Sequence, residues 1–164
     1  MVKFPISTEL LVFDLEAYVP EADRKRKTGA SLAVNPFKEG HTLLVGVFHL
    51  SRPRTGEILT SPEFEHHWVW DEGDEAEVVS SIYNIFAGMR RRASVKKQHH
   101  ADSVVAGVGI SQFDMPAIFA KCLAYETAPA DEIYETVCKV RVVDLAVAGI
   151  GFLKSDAPLL YPKT

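Results

Sequence analysis

Hydrophobic and polar positions fall into stretches of two different periods along this chain. Leu10-Leu11-Val12-Phe13-Asp14-Leu15-Glu16 is an apolar run interrupted only by two acids, and it predicts an inner strand of a sheet. Val104-Val105-Ala106-Gly107-Val108-Gly109-Ile110 is a second run of this kind. Beyond it, Met115, Ile118, Phe119, Cys122 and Leu123 recur at i, i+3, i+4, i+7 and i+8, which predicts one face of a helix. Thr42 to Leu50 and Lys139 to Leu145 also read as strands, and the more polar Phe64 to Trp70 as an outer one. Asp74 followed by Glu77 resembles a capping box, and Val78, Val79, Ile82, Phe86 and Met89 give an amphipathic helix. Ala146 to Leu153 is apolar without a clear period, a short helix or a buried turn. Ala17 to His41 shows no period at all and predicts a long loop, of the kind that is functional or disordered.

Asp14 and Glu16 carry the candidate chemistry. Two carboxylates two positions apart on a strand point to the same face. Nothing adjacent in sequence neutralises both, and burial raises the cost of like charges. A hard divalent cation, Mg²⁺ or Mn²⁺, would resolve the conflict through carboxylate oxygens. The alternative is that one acid simply reaches water at the end of the strand. Asp114 sits at a strand-to-helix junction, in Ser111-Gln112-Phe113-Asp114-Met115-Pro116. It can cap the helix, with Pro116 tolerated in the first turn. In open α/β sheets, sites also gather at strand ends. A third acid brought beside the first two would complete a ligand set for two metal ions.

Phe13-Asp14-Leu15-Glu16 resembles the first motif of the DEDD-superfamily 3′–5′ exonucleases, and Gly107-Val108-Gly109-Ile110-Ser111-Gln112-Phe113-Asp114-Met115-Pro116 resembles the second. The form is similar to that in proofreading domains of family-B DNA polymerases and their stand-alone relatives, which commonly carry Asn where Gly109 stands. The resemblance implies an α/β, ribonuclease H-like fold: a mixed five-stranded sheet flanked by helices, with Thr42 to Leu50 as its antiparallel second strand and Lys139 to Leu145 as its fifth. It implies hydrolysis with two Mg²⁺ or Mn²⁺ ions at the 3′ end of single-stranded DNA or RNA, releasing nucleoside 5′-monophosphates. Asp14 would bridge both ions, Glu16 would hold the first and help orient the water, and Asp114 would hold the second. The family also needs a fourth acid on a C-terminal helix, preceded by a Tyr or His. Asp156 is the only later acid here and lacks that partner. The expectation is one exonuclease-like domain over 1–164, without the helix bearing the last acid, weakly active or inactive by itself, with self-association or a further C-terminal polypeptide making up the loss.

Composition adjusts this picture only slightly. A chain of 164 residues, 47% apolar and 24% charged, suits a single globular domain. It holds no apolar span of about 18 residues and no secretory pattern at its start. Cys122 and Cys138 lie in apolar contexts and read as reduced core residues, so the expected compartment is cytoplasmic. A net charge of −4 does not advertise nucleic-acid binding, but a nuclease needs only local positive charge. Arg24-Lys25-Arg26-Lys27 lies in the loop leaving the acidic strand, either as a contact to the substrate backbone or as a solvated loop. Tyr18 is a candidate to stack on a terminal base, or else a packed loop residue. Arg90-Arg91-Arg92 and Lys96-Lys97 read as cations at a helix end. The pairs His66-His67 and His99-His100 are not counted as ligands, nor is Asp144, which is usually no ligand in the resembling family. Two other functions stand beside the exonuclease: a non-catalytic module binding nucleic acid or a replication protein, and another ribonuclease H-like enzyme, such as a resolvase or RNA–DNA hybrid nuclease.

Overall fold

The computed structural model describes residues 9–24, 35–51, 64–95 and 103–149. Its centre is β1, Glu9–Tyr18, in which Leu11, Phe13 and Leu15 are buried while Asp14 and Glu16 between them are exposed. That alternation is what a strand's two-residue period dictates when the core lies against one sheet face. β2, Thr42–Ser51, lies antiparallel to β1, and β4, Ser103–Gly107, lies parallel to its first half. β3, Glu65–Trp68, and β5, Arg141–Asp144, close the two sides, in the order β3-β2-β1-β4-β5. This is the mixed five-stranded α/β sheet, second strand antiparallel, that the ribonuclease H-like expectation required.

One layer of helices covers the face of Leu11, Phe13 and Leu15. The long α3, Glu75–Val95, begins where Asp74 accepts the Glu77 amide at 3.0 Å, as its capping sequence predicted. Val78, Val79, Ile82, Phe86 and Met89 are all buried. Phe13 meets Phe86 edge-on at 5.8 Å and stacks on Phe48 of β2 at 5.7 Å. Arg92, on the last turns of α3, donates to both oxygens of buried Glu9 at 3.0 and 2.9 Å, tying the helix to the start of β1. Arg90 donates to Thr136, so the basic stretch of α3 has structural duties. Lys96 and Lys97 lie outside the described residues, as do His99 and His100. Beside α3 pack α4, Asp114–Ala124, the single turn α5, Ala130–Ile133, and the π-helical turn Tyr134–Cys138 that continues it.

Three expectations change in detail, and one open choice falls to a short helix. The strand predicted over Phe64 to Trp70 stops at Trp68 and turns into α2, Val69–Glu72. The apolar stretch after β5 begins as α6, Leu145–Gly149. Of the two cysteines, both free, Cys122 is buried but Cys138 is exposed, because it ends the π-helical turn at the surface. The expected loop after β1 contains α1, Glu21–Arg24, and a clip. Asp23 is bound by Lys38 and by Nε2 of buried His41 at 3.0 Å, and these hydrogen bonds hold its carboxyl below the usual range. His41 Nδ1 in turn accepts the Asn35 amide at 2.9 Å.

Candidate active site

Asp14 and Glu16 stand side by side on the face of β1 opposite Leu11, Phe13 and Leu15, both exposed. Asp114 reaches them for a backbone reason. β4 accompanies β1 only from Glu9 to Val12, and then leaves it at Gly107. The amide of Leu15 therefore has no strand partner on that side, and Asp114 Oδ1 accepts it at 2.9 Å. A side chain 99 positions away is thus fixed against the residue between the two acids. Asp114 belongs to the first turn of α4, whose N-cap residue is Phe113, and its carboxylate also engages its own amide there, so a role at the helix start and the contact to β1 coexist.

The electrostatics follow from that placement. Asp114 is only 3% exposed. Burial, chiefly, pushes its carboxyl up from 3.8 to about 7; the Leu15 amide opposes this, and the charges of Asp14 and Glu16 add to it. Three acids are within electrostatic reach of one another, and the buried one is pushed toward its protonated form. Among the described residues, no three His, Cys, Asp or Glu side chains are gathered closely enough to hold a metal ion as they stand. The donor set, three carboxylates with a strained proton balance, nevertheless suits a hard divalent cation, whose charge would favour the ionised form.

The turn that delivers Asp114 is built from its glycines and held by Asp144. A Cβ on Gly107 would lie 2.5 Å from the Phe13 carbonyl oxygen, so only glycine lets β4 end against β1 there. Gly109 has φ +76°, the left-handed region open to glycine and tolerated by asparagine. The position where the resembling exonucleases carry Asn thus asks for one of those two residues. Asp144, at the end of β5, accepts the amides of Gly109 at 2.9 Å, Ser111 at 3.0 Å and Ala146 at 2.9 Å, and the Ser111 hydroxyl as well. Burial alone would raise its carboxyl, but these donors hold it below 3.8. Sequence reasoning set Asp144 aside as a ligand, and its hydrogen bonds explain why it is there.

The candidate nucleic-acid contacts divide. Tyr18, 43% exposed, ends β1 beyond Glu16, and the Arg24 guanidinium lies over its ring at 5.3 Å. Arg24 also donates to the Val19 carbonyl at 2.6 Å. Lys25, Arg26 and Lys27 lie outside the described residues. A buried cation that sequence did not signal, Lys121 of α4, is 6% exposed and bridges the His41 carbonyl and Glu75, joining the clip after β1 to α3 and α4.

No protein-family model matches the chain, and no curated protein does. Among solved structures it is similar to the family B DNA polymerase from the hyperthermophilic archaeon Pyrobaculum calidifontis, at 15% identity and a TM-score of 0.50, over 89% of this chain. The match spans 16% of the polymerase chain. At that identity the likeness establishes the fold, the mixed α/β sheet with its helical layer. No helix among the described residues is long and apolar enough to cross a membrane.

Proposed function

We propose that this chain is a metal-dependent 3′–5′ exonuclease domain acting on single-stranded nucleic acid. The observation that carries the reading is Asp114 docked on the Leu15 amide, between Asp14 and Glu16. Burial and the two neighbouring acids raise its carboxyl, as at sites where carboxylates are gathered for function. Asp14, Glu16 and Asp114 would hold Mg²⁺ or Mn²⁺, which when bound supplies an activated water and stabilises the leaving oxygen. Asp14 and Glu16 present ligand oxygens to solvent, where a substrate phosphate can approach. Asp114 and the Asp144-held turn fix the inner wall. Arg24 over Tyr18 offers a cation and an aromatic face at the end of the same strand.

The test is 3′-end trimming of a 5′-labelled single-stranded oligonucleotide in Mn²⁺. A weak ladder shortened from the 3′ end is expected from this chain by itself, reduced at least about a hundredfold in Asp14→Ala or Glu16→Ala protein, as loss of a metal-held charge costs several kcal/mol of transition-state stabilisation. Trimming that persists in both variants overturns the reading. The lack of a gathered three-ligand group among the described residues favours a second reading, a non-catalytic nucleic-acid-binding module. Binding of the same oligonucleotide without any trimming selects it.

A further inference from the structure

The outer strand β3 and the start of α2 carry a run of stacked rings. His66 stacks on Trp68 with centroids 6.3 Å apart and planes at 10°, and Trp68 on Trp70 at 4.6 Å and 26°. Trp70 is 64% exposed and His66 is exposed as well. Stacked aromatic side chains facing solvent do not serve the core, whose rings lie on the opposite face of the sheet.

Register places this ladder. Asp14 pairs with Val47, and Val47 with His66; Glu16 pairs with Val45, and Val45 with Trp68. Directly paired residues share a sheet face. β3 is antiparallel to β2 and so runs with β1. The line His66–Trp68 therefore runs alongside the line Asp14–Glu16, on the same face, two strand spacings or about 10 Å away, and Trp70, in the first turn of α2, joins it through its contact with Trp68. Val47, half-buried, and Val45, buried at 4% exposure, lie between them. Two of the nearby acids, Glu65 and Glu72, are engaged away from this face. His67 shares the other face with Gly46 and Leu15, and it engages Glu65 at 2.9 Å and Glu72 at 2.7 Å.

We propose that His66, Trp68 and Trp70 form a base-stacking platform that seats unpaired nucleotides of a single strand whose end lies at Asp14 and Glu16. The proposal deepens the exonuclease reading and rests on it for the polarity of the strand. Aromatic stacking tolerates any base, so the platform gives a grip on single strands without sequence preference. A duplex, with its bases already stacked, gains nothing from it.

Trp68 and Trp70 are the chain's two tryptophans, so intrinsic fluorescence reads the platform directly. We would titrate an oligothymidylate into wild-type and Asp14→Asn protein in EDTA, where no cleavage can occur, beside an abasic strand of equal length. Saturable quenching by oligothymidylate is expected, with the abasic strand binding far more weakly. Trp70→Ala should weaken oligothymidylate binding about tenfold, and Trp70→Phe should recover most of it. Equal binding of the abasic strand, or wild-type affinity in Trp70→Ala, overturns the platform. So does a protein that sediments as a dimer, becomes monomeric in Trp70→Ala and shows no quenching, since the rings would then be a protein interface. Quenching without trimming in Mn²⁺ leaves the platform standing and removes the nuclease. Trimming that is unchanged in Trp70→Ala, together with unchanged binding, does the reverse.

Discussion

Asp114 holds two roles that conflict above neutral pH. It must stay beside Leu15 to complete the hydrogen bonding of β1, and it must tolerate Asp14 and Glu16 nearby. Its carboxyl is raised in the fold, so the stability tied to its proton is fully present below pH 3.8 and is lost as pH rises to about 7. Denaturant titrations of wild type and Asp114→Asn across pH 4 to 8 should therefore diverge. The asparagine keeps an oxygen for the Leu15 amide and carries no charge. It should gain about 1 kcal/mol or more on the wild type by pH 8, since a tenfold change in proton affinity is worth about 1.4 kcal/mol. Parallel curves would show that Asp114 does not hold its proton to neutrality. The sequence showed Asp14, Glu16 and Asp114 because local patterns mark them: acids inside an apolar run, and an acid where a strand becomes a helix. It could not show the Leu15 contact, since the divergence of β4 from β1 is a property of the pair of strands and of Gly107.

At the level of elements, α3 and α4 and the inner strands β1, β2 and β4 were legible because their apolar periods are long and unmixed. The shift from β3 to α2 was not, because Trp68, Val69 and Trp70 read as one apolar stretch whichever way the backbone turns. The π-helical turn after α5 was equally hidden, as one extra residue per turn leaves almost no mark over so short a span. Asp144 shows how a neighbouring element disciplines the site. Its oxygens anchor the turn between β4 and α4 from the end of β5. Asp144→Ala removes charge-assisted hydrogen bonds and leaves the buried Gly109 amide without a partner, so it should cost about 2 kcal/mol or more in equilibrium unfolding. It should also lower nuclease activity, while Asp144→Asn, which keeps acceptors for some of those amides, loses less of both. A stability change under about 0.5 kcal/mol for the alanine variant, the range of an ordinary surface substitution, would remove Asp144 from this role.

The whole molecule separates its labours by face. The described helices that form the core, α3, α4 and α5, lie against Leu11, Phe13 and Leu15, leaving Asp14, Glu16 and Tyr18 on the other side with the rings of β3. This arrangement allows the acids to be served by ions from solution without disturbing the core. Binding to the folded state alone stabilises by mass action, about 2.7 kcal/mol at a hundred times the dissociation constant. Millimolar Mn²⁺ at pH 8 should accordingly raise the melting temperature of the wild type, and should leave an Asp14→Asn/Glu16→Gln protein unmoved. An equal rise in both would place the ion elsewhere.

The outermost strands of the sheet, β3 and β5, are only 4 residues long each, and each gives way at once to a helical turn, α2 and α6. A flat ribbon of open amides and carbonyls invites further chains to add, and stubs of this length offer little to copy. Short edges of this kind leave the longer ladder of β1 and β2 inside the sheet, with β3 covering Val45 to Phe48 of β2.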